Sequence, residues 1–406
     1  MNRIGGRMRW LLLMVAALAM LGVGVAQAKT VKVGVVLTYS GGGASLGTTV
    51  QKGMDLYMDV EGNKKLGANK IEFIKRDSKN PGGDVAKTAV QELIVNEKVD
   101  ILTGFVFSPD IIASAPLVAQ SKTPALVLNA GTAWITTLSP YIARVSFTMW
   151  HSGYPLGDYA YKHLGCKTAA VGYTDYPPGK DSRDAFTTSF EAAGGKVLEA
   201  VPMGGPAQVP DFTPFMQRVK DAKPDCFYVF VPAGNHVAAV SKTFNALGMR
   251  AAGIKLIGPA DISQDTQLQS IGPESAGMVT MGHYQADLDN PANKRFVAAW
   301  KAKYGADTVP DFLAVQGYDG MAAIVEAVVK QNGDIDPDRT MKIWEGWHFD
   351  SPRGPIMIDP DTRDIVQDIK AFEVVAQGNH LMMKTLDTIP QVKDPCKAHK
   401  IGRCGQ

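Results

Sequence analysis

The 406-residue chain has little cysteine: Cys166, Cys226, Cys396 and Cys404, with none before Cys166. Neither pair has the spacing or the histidine company of a metal site, so no metal or cofactor is expected. Charge of one sign is also lacking. The formal net charge is only +2, and it falls to −1 once Arg3, Arg7 and Arg9 are removed with the leader described below. Nothing therefore points to a nucleic-acid partner. Little points to catalysis either. Neither GxGxxG, nor GxxxxGK[ST], nor HExxH is present, and a lone serine at a helix start supplies a nucleophile without its base or orienter. An enzyme is not expected. Long apolar runs are confined to one place, Trp10 to Val25.

That run follows the three arginines and precedes Ala26-Gln27-Ala28, the small-x-small pattern of a secretory signal peptide cleaved before Lys29. With no cysteine in the segment, lipid attachment is not expected. An exported chain can hold disulfides. Cys396 and Cys404 close a short loop in the polar tail KDPCKAHKIGRC and are expected to pair. Cys166 and Cys226 each start an apolar strand; they are bridgeable if those strands are neighbours and are otherwise two small buried residues.

The remainder reads as two βα series. Lys29–Leu37, Ile71–Arg76, Ile101–Phe105 and Pro124–Leu128 are nearly continuous apolar runs, as buried parallel strands require. Strands 168–173, 196–201, 225–231 and 255–257 alternate with helices in a second series. Two helices follow, 291–304 and 313–330, and then short antiparallel strands up to about residue 389. A tail that starts no domain of its own must complete the sheets already made. The chain therefore crosses between two lobes three times, near 147, near 277 and within 350–370. The expected division is 29–147 plus 277–360 for lobe one, 148–276 plus 361–392 for lobe two, and 393–406 for the tail.

The stretch Asp100 to Thr137 organises the whole. Ser108 sits where an N-cap belongs, with Pro109 in the first helical position. Asn129, Ala130, Gly131 and Thr132 form the mouth of the next strand. Both features lie at the carboxyl ends of parallel strands, where small ligands bind, and a helix start suits a carboxylate. The same residues also serve as ordinary cap and turn residues, and local sequence does not separate the two uses. The glycines of YSGGGASLG suit a tight, close-approach turn beside a cleft.

The segments VKVGVVLTYSGGGASLGTTVQKGMDLYMDV and IEFIKRDSKNPGGDVAKTAVQELIVNEKVDILTG, followed by the serine turn and the Asn-Ala-Gly turn, resemble the type I periplasmic binding proteins. The resemblance is to the branched-chain amino acid (Leu/Ile/Val) branch that serves ABC transporters, and it covers residues 29 to 390. The closing segment SPRGPIMIDPDTRDIVQDIKAFEVV is more similar to the subgroup that takes aromatic acids. The resemblance implies an α/β, two-lobed flytrap that captures a small carboxylate-bearing ligand in the periplasm for a membrane permease, probing it as a monomer. A periplasmic sensing module would share this fold.

Carried over residue by residue, the resemblance places the carboxylate on Ser108 and on Ala130, Gly131 and Thr132. The lobe-two tyrosine positions fall on Pro178, with Tyr173 and Tyr176 nearby, and close to Ala233. The acid that would pair with an α-ammonium falls on Ala260, with Asp261 next to it. A buried ammonium without an acid costs several kcal/mol, so an aromatic or other non-amino acid is expected unless Asp261 reaches in, in which case a neutral amino acid fits. Phe105, Phe107, Trp134, Trp150 and Tyr318 are candidates for a ring-binding wall. His151 is a candidate donor at the first crossing, and Asp319 a candidate orienter of Tyr318. The family's lobe-one disulfide is absent. The tail staple is expected to pin the chain end against lobe two, away from the pocket.

Overall fold

The structure, a computed structural model, describes residues 28–405 apart from Asn80 and Asn379. The expected signal peptide, except for Ala28, lies outside the described residues.

The apolar runs of the first half form β1 (Thr30–Leu37), β2 (Lys70–Asp77), β3 (Ile101–Gly104), β4 (Ala125–Val127) and β5 (Ile142–Arg144). All pair in parallel, in the order β2-β1-β3-β4-β5. Between them run helices α1 (Ala44–Tyr57), α2 (Asn63–Leu66), α3 (Asp84–Val95) and α4 (Ser108–Ser121). This is lobe one.

Lobe two follows as α5 (Met149–Lys162), β6 (Thr168–Tyr173), α6 (Pro177–Ala192), β7 (Lys196–Pro202), α7 (Thr213–Asp221), β8 (Cys226–Phe230), α8 (Asn235–Ala246), β9 (Lys255–Pro259) and β10 (Val279–Gly282). Its parallel core runs β7-β6-β8-β9-β10. Because β6 and β8 are neighbours, Cys166 and Cys226 come within 5.9 Å Cα to Cα and are disulfide-bonded.

The chain then supplies α9 (Pro291–Tyr304), α10 (Phe312–Lys330) and α11 (Pro337–Trp344), whose apolar residues join the lobe-one core. Helix α10 is apolar enough to cross a membrane, but it lies buried across α1 in that core. The crossing is close because neither helix has a side chain there. A methyl group on Gly53 would stand 1.9 Å from the Ala314 carbonyl oxygen, and one on Gly317 would stand 2.1 Å from that of Val50.

Strands β11 (His348–Ser351), β12 (Gly354–Ile358), β13 (Ile365–Gln377) and β14 (His380–Val392) are antiparallel and extend the second sheet through β13. One expected boundary is corrected. Residues 279–282 do not open the return to lobe one; they form β10, parallel to β9 and antiparallel to β13. The sequence VTMG is fully buried and fills the gap between those strands, so the crossing comes after Gly282.

Two side chains bind the crossings together. Arg353 is buried; it is paired with Asp319 of α10 at 2.9 Å and donates to the Ser146 carbonyl at 2.9 Å and to Gln367 at 2.7 Å. His151 is buried at the start of α5. Its Nδ1 accepts the Thr148 N–H at 3.0 Å, so the proton sits on Nε2, which donates to the Ile365 carbonyl at 3.2 Å. Burial pushes the imidazole pKa from its ordinary 6.5 down to about 4, with Arg144 and Lys397 adding to the effect and Asp364 opposing it.

A histidine depressed in the folded state contributes stability that is full above about pH 6.5 and is lost as pH falls towards about 4, on the order of 3 kcal/mol. Its titration, followed by NMR of the ring protons, is expected to centre near pH 4. A midpoint at the ordinary value would contradict the neutral, bridging role.

Candidate functional site

Strand β3 ends in a strained turn. Gly104 has φ +109° and Phe105, fully buried in the lobe-one core, has φ +62°. A bulky residue in that region costs roughly 1–3 kcal/mol, offset in part by the Phe105 N–H donating to the Val36 carbonyl at 2.7 Å. The turn delivers Phe107 and Ser108 to the mouth of the sheet. Phe107, with extended backbone, is the cap of α4, and Ser108 is the first helical residue. The expected serine cap is thus displaced by one residue. Ser108 makes no capping bond; its Oγ accepts the Thr132 N–H at 3.2 Å, leaving its own O–H free to donate.

The turn after β4 is held from behind. Arg144, fully buried, donates to the carbonyls of Ala130 at 2.8 Å, Thr132 at 2.7 Å and Ala133 at 3.1 Å. Its charge is answered by Asp364 at 2.6 Å. Lys397 donates to the Ala133 carbonyl at 2.6 Å and also pairs with Asp364. Burial alone would raise the Asp364 carboxyl, but Arg144 and Lys397 hold it below its ordinary value. Across a trans peptide, an N–H points opposite to the preceding carbonyl. The Gly131 and Ala133 N–H groups therefore face away from Arg144. That of Ala133 donates at 2.8 Å to Asp181 of α6, in the opposite lobe. Burial raises the Asp181 carboxyl to about 7.

Between the lobes lies a narrow pocket with a cavity volume of about 30 Å³, well below the roughly 300–1,000 Å³ typical of ligand sites. Lobe one contributes Leu46, Phe107, Ser108, Asn129, Gly131, Phe312 and Leu313. The first crossing contributes Phe147 and Met149. Lobe two contributes Tyr176, Pro178, Phe230, Pro232, Ala233 and Asp261. Phe107 packs in one apolar cluster with Tyr176 and Phe230, so the lobes are closed on each other. Gly43 lets α1 approach this cluster, since a methyl there would come 2.8 Å from the Phe107 ring.

Among the described residues, no lysine, arginine or histidine lines the pocket. Its positive character comes from helix starts. The first turns of α1, α4, α5, α6 and α10 each place a residue on the wall, or their cap does. Those of α1, α4 and α6 have no side-chain cap and keep unpaired N–H groups and partial positive charge, whereas Thr148 caps α5 and Asp311 caps α10. The one acid on the wall is Asp261, raised to about 7 by burial.

Of the residues singled out from sequence, Phe107, Ser108, Asn129, Gly131, Tyr176 and Asp261 meet in this pocket, while Ala130 and Thr132 lie just behind it. Six others do not reach it, among them Phe105, which is buried in the lobe-one core. Trp134 and Trp150 line a separate cavity beside the C-terminal tail. His151 is a crossing residue, and Tyr173 packs within lobe two, with Arg183 over its ring. Tyr318 points to the far side of α10, against Tyr57, Phe296 and Phe349, because residues 312 and 318 stand on different faces of the helix. Asp319 pairs with Arg353 and does not orient Tyr318.

Phe312 and Leu313 were not legible as site residues, although Pro310-Asp311 did offer a helix-start signal. Asp311 caps α10 through the N–H groups of Leu313 and Ala314. The α1 loop also spells G-x-S-x-G from Gly43 to Gly47 across a strand-to-helix turn, a pattern found in hydrolases. Ser45 is exposed, however, and among the described residues no histidine hydrogen-bonds to it.

Comparison with known proteins agrees with this architecture. The family model described as "Periplasmic binding protein" matches residues 30–379. A Leu/Ile/Val-binding protein homolog 6 from Brucella melitensis is 35% identical over 389 residues, 96% of this chain and 99% of that protein. A solute-binding protein of an ABC transporter from Rhodopseudomonas palustris BisB5, solved with 3,4-dihydroxybenzoic acid, is 42% identical with a TM-score of 0.85. It is covered to 99%, against 91% of this chain. Another from Rhodopseudomonas palustris HaA2, solved with p-hydroxybenzoic acid, is 37% identical with a TM-score of 0.86, covering 91% of this chain and 100% of that one. With two parallel-cored lobes closed on a pocket at their strand ends, and a match along nearly all of its described length, the chain belongs to the periplasmic binding protein family.

Proposed function

We propose that the protein is the periplasmic solute-binding component of an ABC importer and that its ligand is a hydroxylated benzoate-type acid. The observation that carries this reading is the lining of the pocket. Lobe one presents the Ser108 hydroxyl and a helix start, and lobe two presents the Tyr176 and Phe230 rings together with Asp261. A carboxylate is suited to the lobe-one wall, where the Ser108 O–H and the Gly131 N–H can donate to it. Tyr176 and Phe230, with rings 6.2 Å apart and nearly parallel, offer faces and edges to an aromatic ring. A phenol O–H can donate to Asp261. The ligands seen in the Rhodopseudomonas proteins have this sequence of groups.

Closure follows from the same geometry. The ligand docks on lobe one, and lobe two then brings Tyr176, Phe230 and Asp261 over it, a population shift set by the ligand's differential affinity for the two forms. A permease that reads the closed shape completes the import step. An amino acid is the second reading, and a specific observation favours it: Asp261 does reach the pocket, so an ammonium would find an acid despite Ala260.

Thermal-shift screening followed by calorimetry separates the two. Aromatic acids at 100 times their dissociation constant are expected to add about 2.7 kcal/mol of apparent stability. Micromolar leucine binding with no response to 4-hydroxybenzoate would reverse the assignment. Ser108→Ala is expected to weaken acid binding by about 1–3 kcal/mol through loss of a charge-assisted contact; unchanged affinity would remove the hydroxyl from the site. Asp261→Ala should cost 4-hydroxybenzoate about 1.5–3 kcal/mol more than it costs benzoate. Equal losses for the two acids would show that the phenol does not meet Asp261.

A further inference from the structure

The tail beyond β14 does not lie against lobe two alone. Residues Pro395–Ala398 form a single helical turn, α12, closed to Cys404 by the second disulfide, with 5.7 Å between the two Cα atoms. Among the described residues, no tail residue lines the ligand pocket, but the expected placement against lobe two is widened by contacts to lobe one and to the first crossing. Asp394 caps the turn through the Cys396 N–H at 3.1 Å and accepts the Thr148 hydroxyl at 3.1 Å, at the first crossing. Cys396 packs in one small apolar cluster with Ala133, Trp150 and Ala185, hence with both lobes. Arg403 lies over the Trp134 ring at 4.9 Å. Lys397, nearly buried, spends its donors on the Ala133 carbonyl at 2.6 Å, the Thr136 hydroxyl at 2.8 Å and Asp364.

We propose that the disulfide-closed C-terminal tail is a positioning element for the ligand-binding turn at residues 130–133, acting through Lys397. Lys397 shares the Ala133 carbonyl with Arg144, which also holds the carbonyls of Ala130 and Thr132, and so completes the fixing of the turn's carbonyl side. Asp181 takes the Ala133 N–H from the opposite lobe. The turn is thus gripped by the tail on its carbonyl side and by lobe two on its amide side. One helical turn has too few hydrogen bonds to hold itself. The Cys396–Cys404 bond, with the Ile401 N–H donating to the Cys396 carbonyl at 2.9 Å, keeps it in place. The tail lies beyond residue 379, where the family match ends.

The effect on affinity rests on the reading that this turn holds the ligand carboxylate; the effect on the turn itself does not. Hydrogen–deuterium exchange on the ligand-free protein therefore comes first, for wild type, K397M, K397R and C396S/C404S. In K397M and C396S/C404S, exchange across residues 129–136 is expected to rise about ten-fold while the β6–β8 core is unchanged, and K397R restores protection. Affinity for 4-hydroxybenzoate should fall about ten-fold in the same two variants and recover in K397R. Unchanged exchange across 129–136 in both variants would overturn the proposal, and so would a loss of protection that K397R fails to restore. Raised exchange in a protein whose wild type binds no benzoate-type acid would uphold the positioning and overturn only the ligand reading.

Discussion

Arg144 is fully buried and cannot shed its charge, so its surroundings are built to answer it. Asp364 supplies the countercharge, and three carbonyls of the turn after β4 accept its remaining donors. Desolvating such a pair is expensive, and it contributes little net stability compared with an apolar replacement. What it provides is direction. A turn whose carbonyls are fixed on one side has its amides fixed on the other, and the amide side faces the cleft. Asp364 lies at the third crossing and Arg144 ends β5 before the first, so the ion pair that shapes the binding turn is also part of the hinge.

The second buried guanidinium, Arg353, repeats this logic one layer away. It joins α10 to the first and third crossings through Asp319, Ser146 and Gln367. Together the two clamps leave the pocket itself without a formal cation. An anion held by helix starts and hydroxyls is held without a buried ion pair to break on release. That suits a carrier, which must both capture its solute and hand it on. The acid that lobe two brings to the wall is Asp261, whose carboxyl burial raises to about 7.

Much of this was legible in the sequence because it rests on local rules. Apolar runs of parallel-strand type marked both sheets, and the serine turn and the Asn-Ala-Gly turn were visible from their punctuation. The tail that starts no domain of its own pointed to three crossings, and the resemblance to the binding-protein family implied the same number. The misses share one cause, the direction of side chains set by long-range packing. Trp134 and Trp150 are adjacent in sequence to site residues yet face the tail cavity. Tyr318 lies a turn and a half beyond Phe312 and so meets the opposite side of α10. Strand β10 was read as part of the return to lobe one because its four residues carry no mark of which sheet will take them. Arg144 and Lys397 carried no local signal at all, since their partners lie more than thirty positions away in Asp364 or, for Lys397, across the chain in Ala133.

The most direct test is a crystal structure of the protein lacking residues 1–28, bound to 4-hydroxybenzoate. The expected result has the carboxylate within hydrogen-bond distance of Ser108 Oγ and the turn at residues 130–132, the ring beside Tyr176 and Phe230, and the phenol on Asp261. An acid bound instead in the cavity of Trp134 and Trp150, or bound between the lobes with its carboxylate turned towards Asp261, would contradict it.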